Sequence, residues 1–265
     1  MSDYKKLFFF DIDGTIRADD ESSCIPESAI CSIKKLRENG HKIFINTGRT
    51  ASNVGEDIRS IGFDGYIFGC GTEVFLGETR IYRKSFDPEF CMKLSEEIRL
   101  CDASPVYERS DILLTDSKAR VIPAMQELLV QCIKGGASAI DINEAADTSY
   151  DKFVIWYDEQ TDMSRFRSLI EGKFVYIDRG HGFAEMIPAE CSKADGMEKI
   201  LRELGAKAED TVAFGDSLND AEMLSFAGTG IAMGGAEALY PYADYITKKL
   251  NDDGIAFALK ENGWI

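Results

Sequence analysis

Leu7-Phe8-Phe9-Phe10-Asp11-Ile12-Asp13-Gly14-Thr15 decides how this chain is read. An apolar run stops abruptly at two carboxylates separated by one residue. A short continuous apolar run of this kind predicts a buried strand. Alternate side chains on extended backbone point to the same side, so Asp11 and Asp13 can meet over one site. Gly14 lets the chain turn away. Two acids on one edge, with no adjacent cation, repel each other unless a metal or a proton intervenes. The stretch therefore marks a chemical site at the end of a strand.

Working outward, residues 26–39 read as a helix, with Ile30, Ile33 and Leu36 at helical spacing and Gly40 beyond the end. Residues 43–45 and 67–68 read as strands and 52–60 as a helix. This β-α-β-α-β order predicts an α/β fold, a mostly parallel, doubly wound sheet with helices on both faces. From about Ile81 the rhythm changes. Residues 88–99, 117–134 and 163–171 look helical, and 112–114, 152–157 and 174–177 look like strands. Residues 135–136 and 141–149 read as loops. From Ser192 the first rhythm returns, with helices at 194–203 and 217–225 and strands at 211–214, 231–233 and 245–247. One domain (1–82 and 189–265) is thus expected to be interrupted by an α+β insert (83–188) of roughly 100 residues, a common domain size.

Composition narrows the function classes. The chain has 265 residues, 45% apolar, and a net charge of −16, which argues against generic binding to nucleic acid or to an anionic membrane. Seven scattered cysteines form no C-x-x-C, so zinc-finger and redox readings fail and free thiols in a reducing cytoplasm fit better. Met1-Ser2-Asp3-Tyr4-Lys5-Lys6 lacks a signal-peptide layout. No apolar run approaches the roughly 20 residues of a membrane span.

Polar residues of defined type recur where apolar strands end. Besides Asp11-x-Asp13, there are Asn46-Thr47-Gly48-Arg49 and Gly215-Asp216-Ser217-Leu218-Asn219-Asp220, and Lys193 opens a helix after Ser192. In open α/β sheets, ligands bind at the carboxyl ends of the strands. Asp11, Asp13 and Asp216 would supply hard oxygen ligands suited to Mg²⁺. Thr47, the Gly48 amide and Lys193 would supply donors for an anion. Together these make a phosphoryl site, in which a carboxylate nucleophile would form an aspartyl-phosphate. Each piece alone has a plainer reading, as a turn, a helix cap or a solvated lysine. Their joint occurrence in this order favours the site.

Other templates fail. An EF-hand loop beginning at Asp11 would need Gly and Glu where Ile16 and Ser22 stand. With only His41 and His181, H-E-x-x-H zinc sites are excluded. There is no G-x-x-x-x-G-K-[ST], and Gly228-Thr229-Gly230 lacks the third glycine of a dinucleotide loop.

On these four signatures the chain resembles the haloacid dehalogenase-like (HAD) superfamily, in particular its Cof-like phosphatases. The resemblance is close over residues 1–80 and 185–265, including Ala227-Gly228-Thr229-Gly230-Ile231-Ala232-Met233-Gly234 and Asn251-Asp252-Asp253-Gly254. The middle matches in size and element order. The resemblance implies a Rossmann-like core with an inserted type II cap. It implies Asp11 as nucleophile and Asp13 as the acid that protonates the leaving alcohol and then deprotonates the attacking water. It implies Mg²⁺ held by Asp11, the Asp13 carbonyl and Asp216, with Asp220 orienting ligands or Lys193. Thr47, Gly48, Lys193 and Asn219 would hold the phosphoryl oxygens. Two departures stand out. Cys70-Gly71-Thr72 replaces the family's common Asn-Gly-Ala, and Arg17 replaces a usual apolar residue. The expectation is a cytoplasmic, Mg²⁺-dependent phosphatase of small phosphate esters, sugar phosphates foremost. Phe183, Glu185 and the loop around His181 are candidate specificity residues. A phosphomannomutase-like mutase and a catalytically silent metabolite binder are the alternatives.

Overall fold

The opening apolar run becomes β1 (Leu7–Phe10), and all four of its side chains are fully buried. A strand covered on both faces needs such a run without alternation. The computed structural model describes residues 4–20 and 22–265, so residues 1–3 of the leader reading lie outside the described residues. After β1 come α1 (Glu27–Glu38), β2 (Lys42–Asn46), α2 (Glu56–Arg59), β3 (Gly65–Phe68), β4 (Glu73–Leu76) and β5 (Thr79–Arg83). The insert follows, with α3 (Pro88–Arg99), β6 (Ser104–Glu108), β7 (Leu113–Thr115), α4 (Pro123–Lys134) and β8 (Ala139–Asp141). It continues through β9 (Lys152–Trp156), α5 (Met163–Ile170), β10 (Phe174–Gly180) and β11 (Phe183–Pro188). The chain closes with α6 (Lys193–Leu204), β12 (Thr211–Gly215), α7 (Ala221–Phe226), β13 (Thr229–Ala232), β14 (Tyr245–Ile246) and α8 (Gly254–Glu261).

Two compact units result, one of residues 1–48, 56–82 and 192–265, the other of residues 49–55 and 83–191. In the first, the sheet order is β14-β13-β12-β1-β2-β3-β4-β5. β1 pairs in parallel with both β2 and β12, and β13 and β14 extend the parallel set. Strand order reverses at β1, which makes the ends of β1, β2 and β12 the switch point of the sheet. One face carries Phe9, Phe44, Ile67 and Ala213 under Met197 and Ile200 of α6 and Met223 of α7. Phe8 and Phe10 point the opposite way, where Phe8 meets Trp264 edge-on at 5.2 Å and α1 packs on α8.

The second unit has a six-stranded sheet ordered β10-β11-β9-β6-β7-β8, antiparallel except between β7 and β8. Tyr107, Phe153, Ile155 and Met186 face α3 and α5, and Val106, Val154 and Trp156 face Met125 of α4. The latter face also carries a row of alternating charges across four strands. Arg179 and Lys152 both pair with Glu185, and Lys152 also reaches Glu108 at 3.4 Å. Burial alone would raise the Glu185 carboxyl, but Lys152 and Arg179 outweigh it and hold it down at about 2. A folded value below the unfolded one stabilises above the ordinary value of 4.5 and is lost as pH falls through about 2. Glu185→Gln should therefore cost on the order of 3 kcal/mol at neutral pH. Urea unfolding at a series of pH values should show that deficit closing as pH falls from 4.5 toward 2.

Several element bounds depart from the sequence expectation, for identifiable reasons. The helix expected at 117–134 starts only at Pro123, because a proline disfavours helical backbone in the residue before it, and Ile122 is extended. The helix expected at 52–60 divides into a 3₁₀ turn at Ala51–Asn53 and the short α2, with Val54 extended and Gly55 between them. β4, β5, β6, β8, β11 and α8 were not expected.

Candidate active site

Because β1, β2 and β12 run parallel, their carboxyl ends share one edge of the sheet. Asp11 follows β1, Thr47 follows β2, and Asp216 follows β12. Lys193 is the first residue of α6, capped by the Ser192 hydroxyl, which accepts the Asp195 N–H at 3.1 Å. The Lys193 ammonium is completely buried, 2.8 Å from Asp11 Oδ1 and hydrogen-bonded to Asp220 Oδ1. Asp220 Oδ2 accepts the N–H groups of Asp216 and Ser217 at 3.1 and 3.2 Å. One carboxylate thus ties the lysine to the loop that bears Asp216. Carboxylate oxygens of Asp11, Asp216 and Asp220 lie within 4.8 Å of one another.

The electrostatics follow from burial. Burial alone would lower the Lys193 ammonium, but Asp11 and Asp220 hold it charged, well above the ordinary lysine value. Burial pushes the Asp11 carboxyl up against the pull of Lys193, and Asp220 and Asp216 add to the push. Asp216 is pushed up to about 7, by burial first and then by Asp220. One ammonium among three acids leaves excess negative charge, which a hard cation would neutralise. Asp220 has both oxygens engaged, so Asp11 and Asp216 are the carboxylates placed to bind one. Gly14 gives a second sign of fit. It has φ +77°, and a Cβ there would stand 2.1 Å from Asp216 Oδ2. Gly14→Ala should strain the turn by about 1–2 kcal/mol and displace Asp216. A thermal melt of the variant beside the wild type checks this.

The remaining candidates are placed as follows. Asp13 is half-buried and bridges to Arg17, whose carbonyl accepts the Gly14 N–H at 2.7 Å. Thr47 is buried, its N–H donating to Ile67 and its carbonyl accepting the Cys70 N–H, both at 2.9 Å. Gly48 is half-buried beside it. Asn219 is half-buried, and its side-chain oxygen accepts the Ser217 hydroxyl. Of the expected set, the acid cluster gathers Asp11, Asp216 and Asp220 with Lys193; the carboxylate of Asp13 is not in it. Arg17, one of the two departures, pairs with Asp57. Cys70, the other, takes a left-handed conformation (φ +53°). Gly71 after it has φ +91° and no room for a side chain, since a Cβ would lie 2.3 Å from the Ser192 carbonyl oxygen.

Two contributors were not anticipated. Thr15 donates its hydroxyl to Asp216 Oδ1 at 3.0 Å, and Asn46 donates its side-chain amide to the Lys193 carbonyl at 2.9 Å. Both stand inside motifs that the sequence marks, Thr15 in the first and Asn46 in Asn46-Thr47-Gly48-Arg49, but the sequence assigned neither a role. In the insert, Glu185 is buried in its ion pairs, His181 is exposed at φ +54°, and Phe183 packs its ring on Trp156 at 4.7 Å.

Comparison with known proteins identifies the family. The family profile described as haloacid dehalogenase-like hydrolase matches residues 8–259. The Bacillus subtilis protein YkrA is 31% identical over 264 residues, covering 97% of this chain and 98% of that one. A phosphoglycolate phosphatase of Methanosarcina mazei is 28% identical over 272 residues, covering 98% and 99%. The HAD subclass IIB sugar phosphatase BT4131 has a similar structure, with a TM-score of 0.82, 26% identity and coverage of 98% and 100%. The chain belongs to the haloacid dehalogenase-like hydrolases, among the Cof-like phosphatases of that superfamily.

Proposed function

We propose that this enzyme hydrolyses small phosphorylated metabolites, sugar phosphates foremost, in a Mg²⁺-dependent reaction through an aspartyl-phosphate on Asp11. The observation that carries the reading is the buried Asp11–Lys193–Asp220 chain beside Asp216 at the sheet's switch point. A pure binding site gains nothing from a nucleophile and an acid together. Asp11, the Asp13 carbonyl and Asp216 are the groups to hold Mg²⁺, which would offset the charge of the phosphoryl oxygens.

The Asp11 carboxylate attacks phosphorus, and the bond from phosphorus to the ester oxygen breaks. Asp13 gives its proton to that oxygen, releasing the alcohol. Asp13 then takes a proton from water, whose oxygen attacks phosphorus. The bond to Asp11 breaks, freeing inorganic phosphate and restoring both acids. Lys193 keeps Asp11 oriented and, with Thr47, Gly48 and Asn219, offsets charge on the phosphoryl oxygens. We read residues 1–82 and 189–265 as the catalytic core and 83–188 as its cap.

Sugar phosphates are favoured by the likeness to BT4131, a sugar phosphatase. A phosphometabolite panel assayed for phosphate release, with Mg²⁺ and with EDTA, tests the reading. The expected result is release that EDTA abolishes, with hexose phosphates among the best substrates. Conversion of a hexose 1-phosphate to its 6-phosphate without net phosphate release would instead identify a mutase. Tight ester binding with no turnover would identify a silent binder.

A further inference from the structure

We propose that Asn46 is a positioning residue, whose side-chain amide fixes the backbone of Lys193 and so holds the ammonium on Asp11. Its consequence for turnover rests on the phosphatase reading above; its consequence for α6 does not.

Asn46 is the last residue of β2 and is fully buried. Its Nδ2 donates to the Lys193 carbonyl at 2.9 Å and lies 3.1 Å from Met223 Sδ. One amide therefore touches α6 and α7, and it is continuous in sequence with Thr47. The strand that ends at Thr47, the lysine that opens α6 and the helix that follows Asp220 meet at this side chain.

Its other atom shows that packing alone does not explain it. Asn46 Oδ1 is buried with no hydrogen-bond partner among the described residues. An orphaned buried acceptor lowers stability, and a leucine of similar size would avoid it. Turning the amide over offers no escape, since it would set Oδ1 against the Lys193 carbonyl oxygen. The residue thus carries a stability cost in exchange for one directed bond, and that bond falls on the backbone of the lysine.

The surroundings explain why one bond matters there. The start of α6 is seated by close backbone approaches. A Cβ on Gly71 would lie 2.3 Å from the Ser192 carbonyl oxygen, and one on Gly196 would lie 2.3 Å from Ile67 Cγ2. These contacts stop the helix from moving inward. The Asn46 bond ties the Lys193 backbone, rather than its side chain, to the end of β2. The ammonium reaches Asp11 at 2.8 Å, so a small displacement of its backbone breaks the contact. Misplacement by about 1 Å lowers rates by on the order of 100-fold.

The test uses Asn46→Leu, which keeps the volume and removes the donor, Asn46→Ala in case leucine does not fit, and Met223→Leu, which removes only the sulfur. With p-nitrophenyl phosphate and Mg²⁺, the Asn46 variants are expected to lose kcat by about 10–100-fold with KM within about twofold. Their melting temperatures should not fall with kcat, and Asn46→Leu should match or exceed the wild type. Met223→Leu should keep wild-type kcat. Amide exchange at residues 193–197 should quicken in the Asn46 variants. Wild-type kcat in a folded Asn46→Leu protein would overturn the role in turnover, and unchanged exchange at 193–197 would overturn the positioning itself. If the wild type hydrolyses no ester, the phosphatase reading fails, while the exchange measurement still decides whether Asn46 holds α6.

Discussion

Asp11→Asn should abolish phosphate release, by about 10⁴-fold or more, while leaving the protein folded. The amide is isosteric with the carboxylate but is a far weaker nucleophile toward phosphorus, so the loss belongs to kcat rather than to binding. Folding should survive because the substitution removes one of three crowded acids. Lys193 keeps Asp220 as its partner, and the repulsion of the Asp11 carboxylate by Asp216 and Asp220 disappears. The melting temperature should therefore equal or exceed that of the wild type, a reversal of the usual cost of a buried substitution. A phosphate-release assay beside a thermal melt separates the outcomes. Full Mg²⁺-dependent activity in the folded variant would remove Asp11 as the nucleophile.

Lys193→Met should have the opposite effect on stability. The ammonium is completely buried between Asp11 and Asp220, and removing it leaves both carboxylates buried without their cation. Breaking a buried pair from one side costs about 3–5 kcal/mol, mostly through the charges left behind. Asp11, already pushed up by burial, can escape by binding a proton, which fixes the pH dependence. Its folded value rises further above its unfolded one, so the folded state holds more protons and stability falls as pH rises. The deficit should be larger at pH 8 than at pH 5, as measured by urea unfolding at both. Adding Asp11→Asn should recover part of the loss, so the two substitutions will not be additive. In the wild type, Lys193 works in the other direction. Its raised value keeps its contribution intact below the ordinary lysine value of 10.5, so it is lost only in strong alkali.

The first unit was legible because its parallel sheet writes itself plainly. A strand buried on both faces must be apolar throughout, and it must stop where a ligand is to be met, so Phe10-Asp11 and Phe214-Gly215-Asp216 mark their own boundaries. The insert was less legible because its antiparallel strands carry ionic residues inside. Glu108, Lys152 and Glu185 are buried by pairing with one another across neighbouring strands, a compensation that no single strand displays. Pro105 within β6 and Glu185 within β11 made those segments look unlike strands. Asn46 was hidden for a related reason. Its role depends on a carbonyl 147 positions away in sequence, and a lone asparagine before a turn has a simpler reading.

The central place of β1 has a consequence for how the enzyme is made. One side of β1 is completed early by β2, but the other waits for β12, about 200 residues later. On a ribosome adding roughly 5–20 residues per second, that edge stays open for roughly 10–40 seconds. The exposed edge of Leu7–Phe10 is then a row of unpaired backbone groups flanked by aromatic rings, the kind of surface that aggregates or recruits a chaperone. The same delay keeps Asp11 from Lys193, Asp216 and Asp220 until all three have been added, so a shorter nascent chain carries no assembled site.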